Sequence, residues 1–415
     1  MDGWSFYLVL ACIFGFLMAW GVGANDVANA MGTSVGSKAL TIRQAIIIAT
    51  FFEFIGAFFA GGEVTDTIRN GLISADSASI DSNILILGML ASLLAAATWL
   101  IVASRFGWPV STSHTIVGAI VGFAAFNLGI DVIDWHKMSH IAISWVLSPL
   151  LGGVLAFLLY TSVQRLILNQ PAPFEAAKRI VPYYMFMVGM VVASLTFVNG
   201  IEHLGLNLPN YAAWLFAAAF SLIIVIIGKI VIGRIKDSPS NNPYFHYANV
   251  EKVFSILMLF TACAMAFAHG SNDVANAIGP LAAIEQLVNI GYITETQQTP
   301  VWILLLGSVG IVVGLVMYGH KVIATVGSGI TELTPTRGFA ATFAAAVTVV
   351  MASGTGLPIS TTHTLVGAVL GVGLAKGINA LNLNIIRTIF MSWIVTLPAG
   401  ALLSILFFKI FQHLI

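Results

Sequence analysis

The sequence predicts an all-α integral membrane protein: about twelve transmembrane helices in two inverted repeats, with broken helices or re-entrant hairpins at the midplane. Three observations carry that prediction. The 415-residue chain is 58% hydrophobic and 8% charged, against about 25% charged in an ordinary soluble domain. Apolar runs of bilayer length, about 20 residues each, recur from end to end. The ten residues Gly23-Ala-Asn-Asp-Val-Ala-Asn-Ala-Met-Gly32 return almost unchanged as Gly270-Ser-Asn-Asp-Val-Ala-Asn-Ala-Ile-Gly279.

The apolar runs lie at 4–22, 42–62, 84–104, 113–130, 140–163, 181–199, 211–232, 253–269, 300–319, 337–353, 361–378 and 387–411. Polar stretches at 65–83, 164–180, 233–252 and 285–299 read as loops, and Asp237–Pro243, dense in turn formers, reads as a linker. Residues 5–22 are expected to be a retained span, because no positively charged region precedes them and the first motif follows at once. With the N-terminus outside and twelve crossings, fourteen of the seventeen lysines and arginines fall on the cytoplasmic side, and only Arg69, Lys137 and Lys409 fall outside. The positive-inside rule therefore places both termini outside a cell's inner (plasma) membrane. The formal net charge is zero, so no basic surface points to nucleic acid. Cys12 and Cys263 sit in apolar runs and read as packing residues, and no cofactor is expected.

A second pair of segments supports duplication. Pro109-Val-Ser-Thr-Ser-His-Thr-Ile-Val-Gly118 matches Pro358-Ile-Ser-Thr-Thr-His-Thr-Leu-Val-Gly367, and Ser144-Trp145 matches Ser392-Trp393. The three landmarks are offset by 247, 249 and 248 residues. Residues 1–163 therefore read as a first repeat and 253–415 as a second, with two connecting helices in 164–252. One repeat starts outside and the other inside, so they are inverted, as alternating access around a midplane site requires.

Each copy of the first motif places an aspartate and two asparagines in apolar sequence, and an intramembrane charge is a functional candidate by default. In a helix Asp26 and Asn29 share a face, as do Asp273 and Asn276. Carboxylate and carboxamide oxygens suit a small hard cation such as Na⁺, whereas a transition metal would call for imidazole or thiolate. Gly21, Gly23, Gly32, Gly270, Gly279 and Pro280 are expected to unwind the two helices, freeing carbonyls for coordination. Glu53, mid-span and without a duplicate, is a further candidate cation ligand or proton acceptor.

The second motif puts Ser111, Thr112 and Ser113, and again Ser360, Thr361 and Thr362, at the start of a helix. Free N–H groups and hydroxyls there make an anion site without lysine. Two copies facing each other would wrap one tetrahedral oxyanion. A dianion plus two aspartates brings about −4, and two helix N-termini return only about +1. Cations or protons must supply the remainder, which is the physical basis of coupled anion–cation transport. His114 and His363 read as orienting the hydroxyl loops, Arg105 as an edge arginine, and Glu202, His203, Asp66, Arg69, Asp76 and Asp81 as loop residues.

At these two motif pairs the sequence resembles the inorganic phosphate transporter family of sodium- or proton-coupled permeases, over nearly its whole length. The resemblance implies phosphate held between the halves. By carry-over Asn25, Asn272, Ser111, Thr112, Ser113, Ser360, Thr361 and Thr362 would contact phosphate. Asp26, Asn29, Asp273 and Asn276, with Glu53 as a further candidate, would hold sodium. The short 233–252 loop looks like the compact prokaryotic form. Thr342 stands where some relatives carry an acid, so a second Glu53-like group is not expected there. The resemblance also implies a lipid-embedded homodimer. Proton coupling, or sulfate in place of phosphate, fits the same pattern. An intramembrane aspartyl protease fits less well, since the asparagines and hydroxyl segments would have no role in peptide cleavage.

Overall fold

All twelve apolar runs fold as helix, and a thirteenth, shorter helix appears where the sequence suggested a loop. A computed structural model describes residues 3–73, 80–108, 110–199, 208–236, 243–294, 297–326, 333–377 and 383–414. Pro109, Asp76, Glu202, His203 and most of the 237–243 linker lie outside the described residues, as do the side chains of Ser392 and Trp393. The helices are α1 (Gly3–Gly36), α2 (Ile42–Ala60), α3 (Gly62–Gly71), α4 (Ser82–Phe106), α5 (Thr112–Asn127), α6 (Trp135–Val163), α7 (Pro173–Ser194), α8 (Asn210–Gly233), α9 (Pro243–Ile290), α10 (Val301–Val326), α11 (Pro335–Gly354), α12 (Thr361–Lys376) and α13 (Leu383–Leu414). The polar composition of α3 hid an apolar stripe: Val64, Ile68 and Leu72, spaced by four, are all buried.

Ten described helices are long and apolar enough to cross a bilayer. The helices α5 and α12 are not among them. Each has 16 residues, about 24 Å at helical rise, against roughly 30 Å of hydrocarbon. Each is instead the returning arm of a hairpin. In the first hairpin α4 and α5 pack together, and the chain turns at Gly107, whose φ of 67° is the left-handed conformation glycine favours. At its base, Ser82 Oγ donates to the carbonyl of Gly291, just beyond the C-terminus of α9 (2.8 Å). The second hairpin, α11–α12, is based at the other end of α9, where the N–H of Thr336 donates to Glu251 (2.9 Å). The hairpins therefore enter from opposite ends of the molecule. Their tips touch between those ends: Ser113 Oγ donates to the carbonyl of Ile359 (2.8 Å) and Thr362 Oγ1 to that of Val110 (3.3 Å). Four of the twelve apolar runs thus form two re-entrant hairpins, leaving eight helices to cross.

The packing is mirrored between the halves. The helix α1 packs on α10 and α9 on α2; α5 packs on α13 and α12 on α6. Each half therefore lends its hairpin's returning arm to the other half.

The expected unwinding at the first motif does not occur. The helices α1 and α9 run unbroken through Gly23–Gly32 and Gly270–Gly279, with Pro280 inside α9. The glycines serve close approach instead. A Cβ on Gly23 would lie 1.9 Å from the carbonyl oxygen of Ile311 on α10, and one on Gly270 would lie 2.3 Å from that of Glu53 on α2. Backbone cannot yield as a side chain does. Gly23→Ala should therefore cost roughly 3 kcal/mol of stability, read as a lowered melting temperature of the purified protein; an unchanged melt would refute this packing.

Candidate ion and anion site

The unbroken helices carry Asn25, Asp26 and Asn29 on α1 and Asn272, Asp273 and Asn276 on α9 into the space around the two hairpin tips. All six side chains are buried. They divide into three jobs.

The first asparagine of each copy pins its own half's hairpin. Asn25 Nδ2 donates to Ser104 Oγ (3.1 Å) and to the carbonyl of Trp108 (3.3 Å). Asn272 Nδ2 donates to Ser353 Oγ (3.2 Å) and to the carbonyl of Leu357 (3.1 Å), and its Oδ1 accepts from the N–H of Ile359 (3.3 Å). These bonds satisfy the turn's backbone groups, which in an apolar interior would each cost a few kcal/mol unpaired.

The second asparagine crosses to the opposite half. Asn29 Nδ2 donates to Thr362 Oγ1 on the second hairpin (2.7 Å). Asn276 Nδ2 lies within donating distance of Thr112 Oγ1 (3.2 Å), Ser113 Oγ (3.1 Å) and Asp273 Oδ1 (3.4 Å). Each half's motif helix is thereby tied to the other half's hairpin.

The aspartates are the charged centre. Asp26 is fully buried and more loosely held: the Thr112 hydroxyl stands beside its carboxylate, but among the described residues no well-formed hydrogen bond reaches either oxygen. Asp273 is better held: Thr361 Oγ1 donates to its Oδ2 (2.7 Å), and His269 Nε2 lies 2.9 Å from the same atom. Ligand atoms of Asp26, His269 and Asp273 all lie within 4.8 Å of one another. The two motifs, 247 residues apart in sequence, therefore share one site.

Ser111 and Ser360 act as helix caps: each hydroxyl accepts from a backbone N–H three residues on, His114 and His363 respectively, both at 3.2 Å. Thr112 stands beside Asp26, in the place that Thr361 holds beside Asp273. Of the six hydroxyls predicted for the site, Thr112 and Thr361 stand beside the aspartates, Ser113 and Thr362 close the seam, and Ser111 and Ser360 cap the two helices. Glu53 is fully buried, and its Oε1 lies 3.3 Å from His269 Nδ1, so it meets the site through that imidazole. Thr342 takes no part in the charged centre; its hydroxyl bonds Thr33 across the halves (2.6 Å). Arg69, expected to be a loop residue, is buried on α3 and paired with Asp66 (3.1 Å).

His269 was missed from sequence. It precedes Asp273 by four residues, so one turn of helix puts both on one face. That spacing was readable, but the first repeat has Val22 at the matching position and the duplication did not flag it. Glu53 is equally one-sided. It faces Gly270 as Ile311 faces Gly23, so its counterpart is an isoleucine. The two halves of the site are alike in asparagine and hydroxyl but unlike in the pair Glu53–His269.

Comparison with known proteins agrees with this architecture. A sequence profile described as the phosphate transporter family matches residues 22–404. A putative phosphate permease of Haemophilus influenzae is 52% identical over 410 residues, covering 98% of this chain and 97% of the relative. The chloroplastic inorganic phosphate transporter 2-1 of Arabidopsis thaliana is 43% identical, covering 97% of this chain and 72% of its own length. A solved structure titled as the sodium-dependent phosphate transporter superposes with a TM-score of 0.92 at 37% identity, over 99% of this chain and all of that one. Duplicated motifs, two hairpins meeting at a buried charged centre and a match across nearly the whole chain together place this multi-pass membrane protein, a transporter, in the phosphate transporter family.

Proposed function

We propose that the protein is a secondary active symporter that carries inorganic phosphate together with Na⁺ by alternating access. One observation supports this reading above the others. Two aspartates from opposite halves meet beside two capped helix N-termini, and one of them, Asp26, is buried with no well-formed hydrogen bond to its carboxylate among the described residues. A buried carboxylate left this way is stable only when neutralised. Neither motif contains a lysine or arginine, and the one imidazole at the site, His269, is shared between Glu53 and Asp273, so bound cations supply the rest of the neutralising charge in this reading. Phosphate adds up to −2, which raises the need for cations further. Anion and cations therefore stabilise one another in the site, and neither binds well alone.

In this scheme Asp26 with Asn29, and Asp273 with Asn276, coordinate Na⁺. The hydroxyls of Thr112, Ser113, Thr361 and Thr362 turn from their seam partners to phosphate oxygens, with Ser111 and Ser360 holding the helix starts in place. Asn25 and Asn272 act on phosphate through the tips they pin. The crosswise bonds from Asn29 and Asn276 tie each hairpin to the opposite half, so loading the site biases the relative position of the halves. Arg105, expected at the cytoplasmic edge, lies instead in the last turn of α4 at the first hairpin's tip; thirteen of the other sixteen lysines and arginines still fall inside with eight crossings, which orients both termini outward in this scheme. The solved structure titled as sodium-dependent is the further support for Na⁺ as the coupling ion.

Proton coupling is favoured by a different observation, the imidazole of His269 between Glu53 and Asp273. Phosphate uptake into proteoliposomes at fixed pH separates the two readings. An inward Na⁺ gradient should drive uptake that an equal excess of sulfate leaves unchanged. Uptake that follows a pH gradient without Na⁺, or that sulfate suppresses, would overturn the assignment of cation or anion.

A further inference from the structure

A groove of about 780 Å³ runs along the surface of the bundle between α6, α12 and α13. One wall is the stripe Val146, Leu150, Val154 and Leu158 on α6, spaced by four and exposed. Leu370 and Leu374 on α12 form the other. Such a wall is what a helix shows to lipid, and a plain acyl chain would satisfy it.

The floor is different. His114 lies there at 5% exposure, and neither of its ring nitrogens has a hydrogen-bond partner among the described residues. Trp145 lines the same floor with its ring centroid 3.9 Å from that of His114, and its buried Nε1–H also lacks an acceptor among the described residues. A neutral imidazole presents one N–H and one lone pair, and an indole presents one N–H. Buried polar atoms are rarely left unpaired. A hydrocarbon tail satisfies none of these three, and a charged headgroup would have to be desolvated in an apolar groove at high cost. A hydroxyl fits: it donates to the imidazole lone pair and accepts from an N–H. The volume is that of an ordinary small-molecule site.

We propose that this groove binds a lipophilic alcohol or phenol, with its hydroxyl on His114 and Trp145 and its hydrocarbon body along α6 and α12. Occupancy reaches the transport site from behind. His114 follows Ser113, whose hydroxyl closes the seam between the hairpin tips, and its ring packs 4.4 Å from that of His363 on the other hairpin. The groove also bridges α6 of the first half and α12 of the second. A molecule wedged there holds the two halves together and slows transport without competing for phosphate.

The probe is para-dodecylphenol, with dodecylbenzene as the partner that lacks only the hydroxyl. Binding is read by a photoreactive alkylphenol that labels the protein in liposomes, which does not depend on the transport reading. Labelling should fall on α6 and α12 and be displaced by dodecylphenol at concentrations about tenfold below those needed for dodecylbenzene. Leu370→Trp, which fills the groove from the lipid side, should lose both labelling and any further inhibition by dodecylphenol. His114→Phe should weaken displacement about tenfold. Equal potency of the two compounds, or labelling unchanged by Leu370→Trp, would show a groove holding bulk acyl chains only. Crosslinks between copies through Val146 or Leu150 would show that a second chain covers it. Either result overturns the proposal.

Discussion

Asp26→Asn is expected to abolish Na⁺-driven phosphate uptake, by at least about a hundredfold, while the protein folds normally. The carboxylate is fully buried with only the Thr112 hydroxyl beside it and no well-formed hydrogen bond, so hydrogen bonding holds it far less than it holds Asp273. A neutral side chain of the same shape removes a buried charge and should leave the melting temperature unchanged or raised. The site then lacks one of the charges that hold a cation. A hundredfold loss corresponds to about 2.7 kcal/mol, modest beside the measured range for truncating one partner of a buried charge pair. Asp273→Asn should also abolish coupling but lower the melting temperature, because Asp273 accepts from Thr361 at 2.7 Å and lies 2.9 Å from His269. Uptake and thermal melts on both variants check the contrast. Near-normal Na⁺-driven uptake in the two would remove the aspartates from the ion site.

The two asparagines of one motif should separate in the same way. Asn276 reaches Thr112, Ser113 and Asp273, which form the charged centre and the opposite hairpin. Asn276→Ala should raise the apparent KM for phosphate and the Na⁺ concentration for half-maximal uptake together, each by about tenfold or more. Asn272 bonds only its own hairpin, at Ser353, Leu357 and Ile359. Asn272→Ala leaves buried turn groups unpaired at about 1–3 kcal/mol each. It should show first as a lowered melting temperature and lower maximal uptake, with the Na⁺ dependence of the surviving activity kept. Identical kinetic defects in the two variants would contradict the division of labour between them.

Much of this was readable from the chain itself. The paired motifs located both halves of the site, because a charged or amide side chain in an apolar run has no inexpensive structural explanation. The twelve apolar runs all proved helical. Their composition could not distinguish a crossing helix from a hairpin arm, since both lie in an apolar interior; only the 16-residue length of α5 and α12 and the contact between their tips do so. The glycines of the first motif were misread for a related reason. Glycine permits both an unwound turn and a backbone-to-backbone contact, and sequence does not say which; Ile311 and Glu53 on the facing helices decide for contact. The roles of Asn25 and Asn272 as struts rest on distances to the hairpin turns, 83 to 87 residues away. His269 lies outside the duplicated pattern, with Val22 at the matching position, and with Glu53 it is where the two halves differ.

The proposed symport requires phosphate and Na⁺ to stabilise each other in one site. The most direct test is equilibrium binding of radiolabelled phosphate to the purified protein at fixed pH, in Na⁺ and in an equal concentration of K⁺. Saturable phosphate binding is expected in Na⁺, with at least about tenfold weaker binding in K⁺ and loss of the Na⁺ effect in Asp26→Asn. Equal phosphate affinity in the two salts, with the wild type and Asp26→Asn alike, would contradict it.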